Sequence, residues 1–176
     1  MARRDRAAFA DFVAARSGAL HRAAYLMVGD VGLAQDLVQE ALTKTYVAWP
    51  RLREPANAEA YTRKVLTNTA ISWFRRKGWS AERVTAEVPE SVAAGHADAI
   101  VVRTALMEAL AQLPPRQRAA IVLRFYDDLT EAQTAAAMDC AVGTVKSQVS
   151  AGLTKLRAIL GDAADLDELM PAGGAA

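Results

Sequence analysis

The sequence predicts an all-α protein of two small helical domains joined by a flexible linker. Three observations support this. Glycine and proline number only 10 and 6 in 176 residues, and 52% of the chain is hydrophobic, chiefly alanine, leucine and valine; such a composition favours helices. Apolar residues recur at spacings of three and four through two long blocks. Between the blocks, residues 78–99 lose that period and hold Pro89, Gly95, Ser80, Ser91 and four acids, as a linker does.

The first block reads as three helices. Residues 5–28 place Phe9, Phe12, Val13, Leu20, Ala24 and Met27 on one stripe. Gly29-Asp30 breaks the pattern, and Asp30 suits the N-cap of a second helix over 31–49, with Leu33, Leu37, Val38, Ala41, Leu42 and Trp49 apolar. Pro50 ends it and Pro55 lies in the next loop. Asn57 is expected to cap a third helix that runs to Lys77, where Gly78 stops it. The linker leaves room for a short amphipathic helix.

The second block reads as four helices. Residues 100–112 carry Val101, Val102, Ala105, Leu106, Ala109 and Leu110. Pro114-Pro115 interrupts, and Pro115 suits the first turn of a helix over 115–126. Thr130-Glu131-Ala132-Gln133 has the form of a capping box opening a short helix to Met138. The last helix spans 142–160. The expected organisation is therefore a domain over 1–77, a linker over 78–99, a domain over 100–160 and an acidic tail over 161–176, expected to be mostly disordered.

Net charge is only +1, but its distribution is uneven. Residues 1–77 are net +6 and residues 101–160 net +2, while 78–100 are net −3 and 161–176 net −4. Local basic faces, not overall charge, decide whether a polyanion binds. No apolar run reaches the ~20 residues that span a bilayer. The basic start, Met1 to Arg6, lacks the apolar core of a signal peptide. The single cysteine, Cys140, excludes an intramolecular disulfide framework. His21 and His96 lack ligand partners, so no metal site is expected. Gly143-Thr144-Val145-Lys146-Ser147 echoes a phosphate loop without its second glycine. Gly29-Asp30-Val31-Gly32 comes after a helix rather than a strand, and is no dinucleotide fingerprint.

Residues 129–157 form a helix-turn-helix candidate: a capped helix, a tight turn and a longer amphipathic helix. At about 100° per residue, Val142, Val145, Val149, Leu153, Leu156 and Leu160 share one stripe. The opposite face holds Thr144, Ser147, Ala151, Thr154 and Lys155, flanked by Gln148, and no acid occurs between 140 and 161. Small side chains let such a helix approach a major groove, and polar tips read base edges. Gln148 suits adenine; Lys146 and Lys155 suit phosphates. On the third helix, Tyr61, Lys64, Asn68, Ser72 and Arg75 share a face that Arg76 and Lys77 extend. A tyrosine on a cationic, amide-bearing stripe suits a single strand, whose bases stack and whose phosphates need neutralising. Asp36, Gln39 and Glu40 share a third face. Each pattern also fits an ordinary solvated helix face. The carboxylates also admit a small helical enzyme, although no histidine or nucleophile joins them.

The order of these motifs resembles the extracytoplasmic-function sigma factors of bacterial RNA polymerase. Asp36 to Leu42 is similar to the most typical stretch of sigma region 2, and Tyr61 to Arg76 to its promoter-melting helix. Leu113 to Arg118, Leu123-Arg124, Leu129-Thr130-Glu131 and Val142 to Ser147 are similar to sigma region 4. The alanine-rich wording resembles actinobacterial members. The resemblance implies a three-helix region 2 domain, a region 4 helix-turn-helix domain, a cytoplasmic protein without catalysis or cofactor, and no membrane insertion. Its implied partners are core RNA polymerase and promoter DNA, with an anti-sigma factor as a further class. Asp36, Gln39 and Glu40 would dock on the polymerase. The loop from Pro50 to Ala58 and the face with Tyr61, Lys64, Asn68, Ser72, Arg75 and Arg76 would hold the separated −10 strand. Thr144, Lys146, Ser147, Gln148 and Lys155 would read the −35 duplex. The acidic linker would thread toward the polymerase's RNA exit path. Departures from the pattern are Tyr61 for a tryptophan, Ser72 for an aspartate, Asp139 for a turn glycine, Ala141 for a serine cap and Ala151 for a basic residue. A stand-alone helix-turn-helix regulator is the alternative; it would bind duplex DNA by itself.

Overall fold

The computed structural model of the chain describes residues 3–52, 54–77 and 97–161, and every regular element among them is helical. Helix α1 (Arg3–Val28), α2 (Val31–Ala48) and α3 (Pro55–Lys77) form an N-terminal unit. Helix α4 (Ala97–Ala111), α5 (Pro115–Ile121), α6 (Glu131–Met138) and α7 (Val142–Leu160) form a C-terminal unit. A 3-10 turn, Trp49–Arg51, succeeds α2, and a π-helical turn, Val122–Tyr126, extends α5. The acidic linker from 78 to 96 and the tail from 162 lie outside the described residues.

Local chemistry sets most helix ends. Asp30 is extended and its Oδ1 accepts a 2.7 Å bond from the Leu33 amide. Thr130 and Gln133 complete the expected capping box: the Gln133 amide donates to Thr130 Oγ1 at 3.2 Å, and the Thr130 amide to Gln133 Oε1 at 2.9 Å. Asp139 ends α6 in the left-handed region at φ 53°, where aspartate is better tolerated than most residues. Ala141 has the extended geometry of an N-cap but no side-chain bond to offer.

Several boundaries differ from expectation. Helix α4 starts at Ala97, so residues 97–99, expected as the end of the linker, are already helical. Helix α3 starts at Pro55, so Asn57 sits inside its first turn and is not its cap; the Asn57 and Ala58 amides both donate to the Glu54 carbonyl. Proline's fixed φ and missing amide suit a first turn. The segment expected as a loop to Ala58 is correspondingly shorter. The helix expected over 115–126 changes pitch at Val122, where the Asp127 amide reaches back five residues to the Val122 carbonyl at 3.1 Å.

In the N-terminal unit, Leu20, Ala24, Met27, Leu37, Val38, Ala41, Leu66 and Ala70 are buried together. Thr45 and Thr62, both fully buried, meet at 2.8 Å and link α2 to α3. Phe9, Phe12, Tyr46 and Trp49 pack edge-to-face or tilted at ring separations of 5.0–6.3 Å. In the C-terminal unit, Leu106, Leu110, Leu113, Ile121 and Leu156 form a second cluster. There Gly152 of α7 is buried against α5: a Cβ on it would lie 3.0 Å from Ile121 Cγ1.

The two units are docked on one another. The N-terminal cluster runs without a break into Ala119, Ala120, Val122, Leu123, Tyr126, Leu129 and Met138. Helix α3 lies across α5 and α6, and α1 packs on α4, α5 and the π turn.

Candidate nucleic-acid interface

The face of α3 forms as the periodicity predicts. Leu66, Thr69 and Ala70 point inward and Trp73 is half-buried. On the other side, Tyr61 is half-buried, Lys64 exposed, Asn68 and Ser72 half-buried, and Arg75 and Arg76 exposed. The Arg76 guanidinium donates to Ser72 Oγ from Nη2 at 3.0 Å. Lys77 has no described side chain.

Two of these residues are already engaged by the C-terminal unit. Lys64 Nζ lies 2.9 Å from Asp139 Oδ1. The bond from Lys64 holds the Asp139 carboxyl below its usual range. Asn68 Nδ2 donates to the Ala137 carbonyl at 2.8 Å and to the Lys64 carbonyl at 2.9 Å.

Sequence reasoning missed the rest of this contact. Arg63 Nε donates to Asp127 Oδ2 at 3.0 Å, while its Nη2 reaches Glu59 at 2.8 Å. Burial pushes the Asp127 carboxyl up, against the lowering effect of the Arg63 cation. Arg22 Nε donates to the Tyr126 hydroxyl at 2.7 Å. Arg118, only 4% exposed, donates from Nε to the Leu26 carbonyl of α1 at 2.5 Å. Burial lowers its pKa to about 9. Its Nη2 has no hydrogen-bond partner among the described residues. These pairs are 64 to 104 residues apart in sequence, so no local pattern announces them.

The outer face of α7 stays open. Lys146 and Ser147 are exposed, and Thr144, Gln148 and Lys155 are half-buried. Ser147 Oγ donates to the Thr144 carbonyl at 2.9 Å, and Lys146 Nζ lies 3.5 Å from Glu131. Val145 and Leu156 are buried, and Val149, Leu153 and Leu160 partly so. Val142 is 39% exposed, because the stripe's first residue overhangs the turn.

On α2, Asp36 and Gln39 are exposed and Glu40 is half-buried, paired with Lys44 at 2.6 Å. Gln39 borders an open groove of about 410 Å³ between α1 and α2, floored by Phe9, Val13, Val38, Leu42 and Tyr46. Among the described residues no cluster of His, Cys, Asp and Glu could hold a metal ion, and no helix is long and apolar enough to cross a membrane.

Comparison with known proteins settles what these surfaces belong to. Residues 12–80 match the family model for Sigma-70 region 2, and residues 103–156 that for Sigma-70 region 4. The chain belongs to the sigma-70 family. The sigma factor is 38% identical to the RNA polymerase sigma-E factor of Streptomyces coelicolor, over 90% of this chain and 89% of that one. It is 29% identical to the ECF RNA polymerase sigma factor SigW of Bacillus subtilis, over 90% and 91%. Its fold superposes on the sigma factor RpoE solved in complex with the anti-sigma factor NepR from Bartonella quintana, with a TM-score of 0.67 and 27% identity, covering 89% of this chain and 98% of that one. Two regions with a short connection and these relatives make it a sigma factor of the extracytoplasmic-function group, and the Streptomyces relatives fit the actinobacterial wording. The α3 face lies in region 2 and the α7 face in region 4.

Proposed function

We propose that this sigma factor directs RNA polymerase to promoters by reading the −35 element as duplex with α7 and holding the melted −10 strand on α3. The observation that carries the reading is the α7 face, acid-free from residue 140 to 161 and open to solvent around Lys146 and Ser147. A groove-reading helix requires that combination. The proposed units are 1–77 for polymerase and −10 contacts, 78–99 as linker, 100–160 for the −35 element and 161–176 as tail.

In this reading Lys146 and Lys155 meet phosphates, while Thr144, Ser147 and Gln148 face base edges. Tyr61 stacks on a base, and Lys64, Asn68, Ser72, Arg75 and Arg76 track the strand. Melting arises from differential binding: the α3 face prefers the separated strand, and stacking and phosphate contacts offset the few kcal/mol needed to unstack a base. Asp36, Gln39 and Glu40 with the adjoining groove suit the polymerase. The complex of the similarly folded relative with NepR supports an anti-sigma factor as a further partner class. The family is one of transcription initiation factors, and no catalytic group is assigned.

Run-off transcription with purified core polymerase on a genomic fragment library tests the reading directly; specific start sites are expected only with the factor present. A gel shift separates it from a stand-alone regulator, since tight promoter binding should require core polymerase. On a promoter so identified, Lys146→Ala should weaken binding and lower the log–log salt slope by about 0.9, one released counter-ion; an unchanged slope removes Lys146 from the interface. Tyr61→Ala should reduce permanganate reactivity of the −10 thymines more than it reduces closed-complex binding.

A further inference from the structure

The groove between α1 and α2 has an apolar floor of Phe9, Val13, Val38, Leu42 and Tyr46, and no acid lines it. Val13 and Leu42 are half-buried and Tyr46 is 38% exposed, so among the described residues the floor is left open. Its volume of about 410 Å³ falls in the range of clefts that hold a ligand. Covering such a floor is favoured in proportion to the apolar area taken from water. The sequence beyond α7 carries a matching segment. Leu166, Leu169 and Met170 stand at spacings of three and four, with Asp165, Asp167 and Glu168 around them. We propose that residues 165–170 occupy this groove as a turn of amphipathic helix, so that the chain's own C-terminal segment competes with polymerase for α2. The competition rests on the promoter reading above.

Pattern and reach both fit. At about 100° per residue, a helix would hold Leu166, Leu169 and Met170 within about 100° of arc and place Asp165, Asp167 and Glu168 outside it. That is the i, i+3, i+4 anchor pattern with which a helix enters an apolar groove. Pro171 then halts the pattern. Leu160, the last residue of α7, packs against the same buried cluster as Tyr25 of α1. From Tyr25 the groove begins at His21, about 6 Å back along α1, and ends at Phe9, about 24 Å back. The six steps from Leu160 to Leu166 span up to about 20 Å, enough to enter the groove at its His21 end.

The cover is weak enough to displace. Only three apolar side chains anchor it, and the segment from 162 to 170 holds four acids. Asp36 and Glu40 stand on α2 beside the groove; Glu40 is paired with Lys44 at 2.6 Å, which leaves Asp36 the chief source of repulsion. A short tether offsets part of that weakness, because it sets an effective concentration on the order of millimolar. An anchor with an intrinsic Kd of about 1 mM then fills the groove about half of the time. Salt screens the repulsion between exposed charges, so the segment should seat at least as firmly as ionic strength rises. The same acids lying on the cationic faces of α3 or α7 would be released by salt. The sign of the salt response therefore separates the two occupancies.

The test uses the full chain with its one cysteine removed by Cys140→Ala and a spin label on Ala172→Cys, just past the anchors. Amide signals of the groove, around Val13, Gln39 and Leu42, should broaden, and those of Arg75, Arg76, Lys146 and Ser147 should not. The broadening should persist at 1 M salt and vanish in Leu166→Ser/Leu169→Ser, which alters no residue of either helical unit. Without the label, that double variant should bind core polymerase roughly twofold more tightly than the wild type, the gain expected when a half-filled site is emptied. An unbroadened groove overturns the proposal. Broadening on α3 or α7 that salt removes also overturns it, and makes the segment a mimic of DNA phosphates. Broadening passed from a labelled chain to a separate isotope-enriched chain assigns the groove to a second copy instead. A double variant that binds polymerase no more tightly overturns the competition. Failure of both chains to bind core polymerase, with the groove still broadened, would instead overturn the promoter reading.

Discussion

At the scale of single residues, the helix ends are the most legible part of the sequence. Asp30, Thr130 and Asp139 each act within three or four residues of themselves, so the pattern that announces them is local, and the structure realises all three. Ala141 shows the converse. Its backbone is already extended at φ −72°, ψ 151°, and only an acceptor is missing. Ala141→Ser should raise stability by about 1 kcal/mol, seen as a higher denaturant midpoint with an unchanged slope. The two interfacial carboxylates are not legible, and they titrate in opposite senses. Asp139 is held low by Lys64, so its contribution to docking is full above the ordinary carboxylate pKa and lost as pH falls through its lowered value. Asp127 is pushed up, mainly by burial; the cost of its charge is full above the raised value and vanishes when it is protonated. Protonating Asp139 therefore weakens the contact, whereas protonating Asp127 relieves a cost of burial.

At the scale of elements, existence and type come from period, and boundaries are readable where a cap or stop marks them. Helix α3 begins earlier than expected because Pro55 and Asn57 both signal an N-terminus and the proline lies further upstream. The π turn leaves no trace in the sequence: Val122 to Tyr126 continues the apolar pattern of α5, and a change of pitch alters partners rather than composition. Gly152 is similar. Periodicity locates the stripe of α7 but not the point where α5 comes closest, and a lone glycine inside a helical pattern carries no signal of contact. Gly152→Val would place a branched side chain against the fully buried Ile121. Overpacking of this kind costs about 1–3 kcal/mol, so the thermal midpoint should drop by several degrees, with −35 binding lost in parallel as the unit unfolds. A midpoint at or above that of the wild type would show that α5 and α7 can part without penalty.

At the scale of the whole molecule, two helical units can be read from the chain, whereas their mode of association cannot. Arg22 and Tyr126, or Arg118 and Leu26, meet across about a hundred positions through faces that each look like ordinary helix surface on their own. Charge gives partial notice: the cationic stripe on α3 is visible and suggests DNA as its partner, while in the isolated chain Asp139 and the Ala137 carbonyl stand at its centre. Raising ionic strength shortens electrostatic reach from about 10 Å at 0.1 M to 3 Å at 1 M. The exposed Lys64–Asp139 pair should weaken, and the Arg63–Asp127 pair, whose side chains are 18% and 10% accessible, should persist. High salt should therefore loosen the contact at its rim without opening it. The turn at Val122–Tyr126 supplies the extra residue that aims Tyr126 and Asp127 at the other half of the chain. Deleting one residue there would close the wide turn to ordinary pitch and take away the offset that sets Tyr126 opposite Arg22 and Asp127 opposite Arg63. A single codon thus carries two of the polar ties between the halves of the chain.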